Sequence, residues 1–548
     1  MKYAILSLIM LSAISLWGQS GIEKRIDAIL AQAVPDPSTP GLTLGLVQGK
    51  QLIYQGSRGS MNMAYQLPFN DSTVFGLASV TKQFTAACIG ILAHQGRLSV
   101  TDDVRTYLPE LAVYGDTIRI KHLLNHSSGI RNHNVLLDLK GFDFKHRGYT
   151  NQMIQELMFK QAGVNNPPGE RMLYSNTNYV LLALVVERVS GLPIHQFAER
   201  EIFEPLGMVQ TFYKSDVEAI VLNQAVEHVK TRQYYKQPRS LNLCVGAGGI
   251  ISSIADMSIW TQIFLDPNHK FSYLKDFITE LDSLNSGEPM KHARGMFVSA
   301  YKGQKTYNHS GRNWGMRAQF ICVPDLDLAL IVYTNSAQLD AVGISYQILD
   351  LFMDAQVREV AQEASFIHTT KQLEAFCGTY QELNSDFRMS VFVENDTLKA
   401  LSSFGREATP LKSKGEALFC RLDDQSVSYV FEPRSKASTS LEVDFGGAIF
   451  YFERIEVAEN LNQSLDDFVG QYYSDELAVN YTIRLQGEQL LLSYPNQSGL
   501  ALREIQTDVL GANRRTKYTF HRNAQGAIIS FAVAAEGTVK DILFKRID

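Results

Sequence analysis

The sequence predicts an α/β (α+β) core reaching to about Val360, followed by two small all-β units. Three observations carry that prediction. Two strand-like runs precede an apolar helix early in the chain, and further strands and a helix close the same region, the order expected of a mixed layered core. From Leu373 onward the pattern changes to short alternating strands with Gly, Asn and Asp turns. That tail also repeats itself: Leu373, Phe376, Gly378 and Tyr380 recur 92 positions later as Leu465, Phe468, Gly470 and Tyr472.

Met1 to Trp17 has one early lysine and then a mostly apolar run too short to cross a bilayer comfortably. It reads as a secretory signal over residues 1–18, and the expected location is outside the cytoplasm, periplasmic or extracellular. Residues 22–33 have helical periodicity and end at Pro35, Pro37 and Pro40. Gly41 to Val47 and Gln51 to Gly56 then read as two strands joined at Gly49-Lys50. Val80, Phe84, Ala87, Cys88, Ile91 and Leu92 form one apolar stripe stopped by Gly96, so a helix is expected with Ser79 at its N-terminus. Leu98-Ser-Val-Thr101-Asp-Asp103 caps a short helix that stops before Pro109, and the segment from Arg131 to Asn166 is polar, aromatic and unassigned.

Pro167 to Asn176 leads into a mostly buried helix from Tyr179 to Val189, closed by Gly191. Gly246-Ala-Gly-Gly249 opens a strand that passes into a helix through a capping box at Ser253 to Asp256. Strands follow around Thr306, Gln319 and Leu328. The divisions read from this pass are 1–18, 19–365, 366–460 and 461–548. Within the tail, Phe452-Glu-Arg454-Ile455 recurs as Phe544-Lys-Arg546-Ile547, so two units of 84 residues begin and end alike. Each is long enough for a small closed barrel, which removes exposed strand edges. Arg454 and Arg546 are expected to anchor the barrels.

Composition bounds the function. The 548 residues are 45% hydrophobic and 20% charged, ordinary globular values with room for two to four domains. A net charge of -6 with no long basic run makes nucleic acid and anionic membrane surfaces poor partners. No later stretch has membrane-spanning length. Five cysteines are few for an exported chain, and Cys377 with Cys420 is the only pair worth testing as a disulfide. No metal is expected, because no His/Cys/Asp cluster has ligand spacing, and no cofactor is implied.

Ser79-Val-Thr-Lys82 places a hydroxyl and an amine on one helical face, a nucleophile beside a possible base. The bare S-x-x-K pattern is weak, since Ser272 and Ser299 also begin one. Context raises Ser79. Tyr174-Ser-Asn176 follows Pro168-Gly169 and precedes a buried helix, whereas the rival Y-x-N at Tyr149 has neither feature. His309-Ser-Gly311 lies on a strand downstream of both. His126, in a turn rich in Ser and Gly, reads as a structural cap in preference to a catalytic group.

With these three motifs in order, the first 360 residues resemble the serine β-lactamase and penicillin-binding-protein superfamily, nearest its class C β-lactamase, D,D-carboxypeptidase, D-aminopeptidase and esterase branches. Leu123 to Gly129, Pro205-Leu-Gly-Met208, Gly248-Gly249 and Thr334-Asn335 resemble stretches of the same family. The resemblance implies a β-lactamase-like transpeptidase fold, an antiparallel sheet with a helical subdomain. It implies that Ser79 attacks a carbonyl to form an acyl-enzyme, with Lys82 or Tyr174 taking its proton. Asn176 would hold the substrate amide or Lys82, and backbone N–H groups of Ser79 and Arg312 would form the oxyanion hole. His309 stands where β-lactamases usually carry lysine, which resembles the peptidase and esterase branches. The Arg312 guanidinium either meets a substrate carboxylate or faces outward.

The two tail units resemble, in size and position, the lipocalin-like barrels of D-aminopeptidases, and are expected to frame the active-site entrance. The function implied is hydrolysis of a small peptide or amide containing a D-amino acid, with an ester or β-lactam as alternative substrate. A non-catalytic sensor of muropeptides or β-lactams is the competing class.

Overall fold

The computed structural model describes residues 21–238, 241–353 and 366–548, apart from 384, 404–406, 423–426, 434–438, 446–448, 456–463 and 513–514. The expected signal segment lies outside the described residues, as does the expected change of architecture near Val360.

One six-stranded antiparallel sheet organises the first part. Its strands are β1 (Leu42–Gln48), β2 (Gln51–Arg58), β3 (Phe297–Tyr301), β4 (Gln304–Arg312), β5 (Arg317–Val323) and β6 (Leu328–Thr334), in the order β3-β4-β5-β6-β1-β2. The chain therefore leaves the sheet after β2 and returns only at β3, and the long excursion builds the helical part. β1 and β6 are nearly continuous apolar runs because helices cover both faces of the sheet. On one face the helix over residues 21–33 and a helix at Ala341–Met353 pack as a separate apolar cluster.

The other face holds α1 (Lys82–His94), α2 (His133–Leu139), α3 (Asn151–Met158), α4 (Asn176–Ser190) and α5 (Ile254–Leu265). α1 is buried from Lys82 to Leu92. Phe84 lies 4.3 Å from the ring of Trp260 on α5 and gains roughly 1.5–3 kcal/mol from full burial. The unassigned segment from Arg131 to Asn166 contains α2 and α3, seven and eight residues long, about two turns each. Ser253 caps α5 by accepting from the Asp256 N–H.

The first tail unit is a closed eight-stranded barrel running from Gly378–Glu382 to Ile449–Ile455, with its own apolar core. The second is a nine-stranded antiparallel sheet whose two end strands, Gln497–Ala501 and Arg503–Gln506, meet at Leu502, so it is nearly closed. The repeated residues do repeated work. Tyr380 donates to the Phe376 carbonyl at 2.8 Å, and Tyr472 to the Phe468 carbonyl at 3.0 Å. A Cβ on Gly378 would meet Arg454 Nε at 2.6 Å, and one on Gly470 would meet Arg546 Nε at 3.1 Å. The closing arginines thus lie against the opening glycines of their own barrels.

Cys377 and Cys420 are not joined, so the pair tested from the sequence forms no disulfide. Ninety-two positions on, the chain has Val469 and Ala512, which fits two small packing residues.

The second barrel docks on the α2–α3 segment. Arg131, buried, pairs with Glu476 at 2.6 Å and donates to the Asp541 carbonyl. Asn165 donates to the Thr538 carbonyl and accepts from the Lys540 N–H, and Tyr481 donates to the Leu139 carbonyl at 2.6 Å. The apolar core of this barrel is continuous with that of the helical part. The first barrel touches the core through Lys291 with Asp444 and Arg171 over the Tyr451 ring. No single helix among the described residues is long and apolar enough to cross a membrane.

Candidate active site

The segment before Ser79 is pinned on both sides. Val74–Gly76 pairs with Ile250–Ser253, and the Leu77 N–H donates to the Ile250 carbonyl at 2.8 Å. Ala78 then takes a left-handed φ of 45°, and Ala78–Thr81 forms a 3-10 turn that runs into α1. Ser79 is therefore on that turn, and Lys82, not Ser79, begins the α-helix, a correction to the expected helix start. A non-glycine residue in the left-handed region costs free energy and persists only where its surroundings impose it.

Gly311 on β4 supplies part of that imposition. A Cβ there would lie 2.3 Å from the Leu77 carbonyl oxygen, so only glycine lets the strand approach the Ser79 turn.

Lys82 is fully buried. Its Nζ lies 3.1 Å from Ser79 Oγ, 2.9 Å from Asn176 Oδ1 and 2.9 Å from the Ala247 carbonyl oxygen. The rings of Tyr174 and Tyr179 stand 4.9 and 5.5 Å from it. Burial pulls its pKa down to about 7, with only weak opposition from the Cys244 thiol. A lysine so placed exchanges its proton near neutrality.

Tyr174 precedes α4. Burial pushes its phenol far above the usual pKa, although the neighbouring Ser79 side chain pulls the other way. His126, at a left-handed φ of 61°, stacks on Tyr174 at 4.1 Å and accepts from the Ser175 N–H and Asn178 Nδ2. Its structural role is thus to fix the Tyr174 turn. His309 is buried on β4, with Nδ1 donating to the Ser310 carbonyl at 2.6 Å, and burial lowers its pKa to about 3. His292 packs 4.8 Å from His126 and 6.0 Å from His309. Desolvation keeps all three imidazoles neutral, so no cation competes with Lys82 there.

Ser79 opens into a cavity of about 660 Å³. Asn134, Asp138, Phe144, Arg147 and Tyr149 line it from the α2–α3 segment, Arg312, Trp314 and Arg317 from the sheet, and Glu536 from the second barrel. A nucleophile that opens into such a cavity, with an amine of shifted pKa and a phenol behind it, is the geometry of acyl transfer.

The beta-lactamase family profile matches residues 26–351, more than half of the chain. The chain belongs to the beta-lactamase family. Among curated proteins of the family, penicillin-binding protein 4* of Bacillus subtilis is 29% identical over 323 residues, covering 54% of this chain and 68% of its own. The chain spans 63–68% of the length of the first curated relatives it matches. A penicillin-binding protein homologue from Pyrococcus abyssi, described as octameric, has a TM-score of 0.55 at 22% identity over 79% of this chain and 99% of its own. A D-amino acid amidase from Ochrobactrum anthropi SV3 has a TM-score of 0.52 at 19% identity over 60% of this chain and 97% of its own. At those identities the two structures speak for the family fold.

The three family-like motifs converge. Ser79, Lys82, Tyr174 and Asn176 are in contact, and the strand carrying His309, Gly311 and Arg312 lies beside them. Arg312 lines the cavity and makes no ion pair among the described residues. Sequence reasoning missed His292, the Ala247 carbonyl, Asn134, Asp138 and Glu536. None stands in a short motif, and the Gly246 to Gly249 run that holds Ala247 reads as the opening of a strand. Among the described residues no cluster of His, Cys, Asp or Glu has the arrangement of a metal site.

Proposed function

We propose that this protein is an exported serine hydrolase that cleaves amide bonds of small D-amino-acid-containing peptides or amides through an acyl-enzyme on Ser79. The observation that carries the reading is the buried Lys82, 3.1 Å from Ser79 Oγ, with its pKa drawn to about 7. Neutral Lys82 takes the Ser79 proton as Oγ attacks the carbonyl carbon, while its other two contacts, Asn176 Oδ1 and the Ala247 carbonyl, hold the ammonium so formed. The oxyanion meets the N–H groups of Ser79 and Arg312. Tyr174, whose raised pKa keeps it a phenol at neutral pH, gives its proton to the leaving nitrogen and recovers one from Lys82. Water then releases the acyl group.

The cavity supports a short charged substrate. Asp138 offers a carboxylate toward a substrate ammonium, and Arg312 and Arg317 offer guanidinium groups toward a carboxylate. Trp314, 60% exposed, and Phe144 provide apolar surface for a side chain. The likeness to a D-amino acid amidase and to penicillin-binding proteins supports the D configuration. The second barrel frames the entrance through Glu536. Residues 1–18 direct export, so the mature protein begins near residue 19.

Hydrolysis of D- and L-phenylalanine amide by the full chain tests the reading. The D form is expected to be cleaved at least about tenfold faster, a difference of roughly 1.4 kcal/mol in the transition state. Equal rates would remove the stereochemical part. Cleavage of esters with no cleavage of amides would favour an esterase.

A further inference from the structure

Tyr149 stands in the Y-x-N that the sequence ranks below Tyr174, yet its side chain lies on the cavity wall. Its ring is held edge-to-face by Phe142 and Phe144, at 6.0 and 5.9 Å, and by His133 at 5.7 Å. Its oxygen accepts one hydrogen bond from Asn134 Nδ2 at 2.8 Å and another from Asn242 Nδ2 at 3.1 Å.

Both donors are fixed from behind. Asn242 Oδ1 accepts the Cys244 N–H at 2.7 Å, so the nitrogen of that amide must face Tyr149. Asn134 Oδ1 accepts from Asn176 Nδ2 at 3.1 Å, and Asn176 Oδ1 accepts from Lys82 at 2.9 Å. The polarity of the chain is thus set at one end by a lysine and at the other by a backbone N–H. A phenol oxygen that accepts twice has used its acceptor capacity, and only its O–H is left to act. Among the described residues no hydrogen-bond acceptor meets that proton, and Tyr149 and both its donors line the cavity.

We infer that Tyr149 is a specificity-determining donor, which hydrogen-bonds a carbonyl oxygen on the acyl portion of the substrate. Tyr174 marks the leaving-group side in the mechanism above. Tyr149 and Ser79 line the same cavity, which Tyr174 does not line, so the substituent it meets is assigned to the part that stays on Ser79. A substrate with an acylated amino group, or a peptide continuing on that side, supplies the acceptor. This assignment rests on the hydrolase reading and deepens it.

The test uses two boronic acids that add to a reactive serine, acetamidomethylboronic acid and methylboronic acid, which differ by one acetamido group. Each competes with a fluorophosphonate for Ser79 in the full chain, and the ratio of their inhibition constants is the readout. The unmodified protein is expected to favour the acetamido compound. Tyr149→Phe should shrink that preference by about two- to tenfold, the range a neutral hydrogen bond supplies. Asn242→Asp keeps an acceptor for the Cys244 N–H but turns an oxygen toward Tyr149, so it should capture the phenol proton and reduce the same preference even if Tyr149→Phe fails to fold. An unchanged ratio in either folded variant overturns the assignment while leaving the hydrolase reading in place. Absence of any fluorophosphonate adduct in the unmodified protein overturns both.

Discussion

The pH dependence of Ser79 reactivity follows from the position of one amine. An ordinary lysine, with a pKa near 10.5, is neutral in only about 0.03% of molecules at pH 7, whereas Lys82, drawn to about 7 by burial, is neutral in about half. The lowering enlarges the population of competent base by roughly a thousandfold, part of which is lost because a weaker base pulls less strongly on the proton. Reactivity should therefore rise with pH up to about 7 and level off above it. At pH 5, two units below the pKa, about 1% of Lys82 is neutral, so phosphonylation of Ser79 should be roughly 100-fold slower than on the plateau.

The assay is the rate of fluorophosphonate labelling between pH 5 and 9, repeated with Tyr174→Phe. If Lys82 is the base, the variant retains a limb near 7, because its lysine is still buried. A limb near 10, or one that disappears with the Tyr174 hydroxyl, would refute the reasoning and pass the role to Tyr174.

Two further outcomes test the scaffold. Gly311→Val forces β4 away from the Leu77 carbonyl, since a Cβ there lies 2.3 Å from that oxygen. It should lower stability by about 1–3 kcal/mol in urea unfolding and slow Ser79 labelling more than any stability loss explains, and an unchanged labelling rate would remove the close-approach argument. Arg131→Ala leaves Glu476 without its buried cation and should cost about 3–5 kcal/mol. Hydrogen exchange at residues 538–541 and 131–139 should accelerate together, and undisturbed protection there would contradict the docking role given to this pair.

Much of the site was legible because its chemistry is spaced locally. Ser79 and Lys82 meet through one helical turn, and each other motif sits beside a recognisable neighbour, Pro168-Gly169 for Tyr174 and a strand for His309. The barrels were legible for a different reason: a 92-residue repeat is visible without knowing any contact. What stayed hidden depends on tertiary structure. The left-handed φ at Ala78 arises from strands pressing on both sides, so the sequence put the helix start three residues early. The α2–α3 segment was opaque because its helices are short and packed between the cavity and the second barrel. Glu536 comes from 457 positions beyond Ser79 in the chain, and no local pattern marks it. His126 reads as a cap, and it does brace a turn, but only the fold places the Tyr174 ring on it.

Rapid-quench mass spectrometry of the full chain mixed with D-phenylalanine amide or a penicillin tests the acyl-enzyme most directly. The account predicts a transient mass gain equal to the acyl group, mapped to the peptide that contains Ser79 and absent from Ser79→Ala. Turnover with no adduct, undiminished when Ser79 becomes alanine, would contradict it.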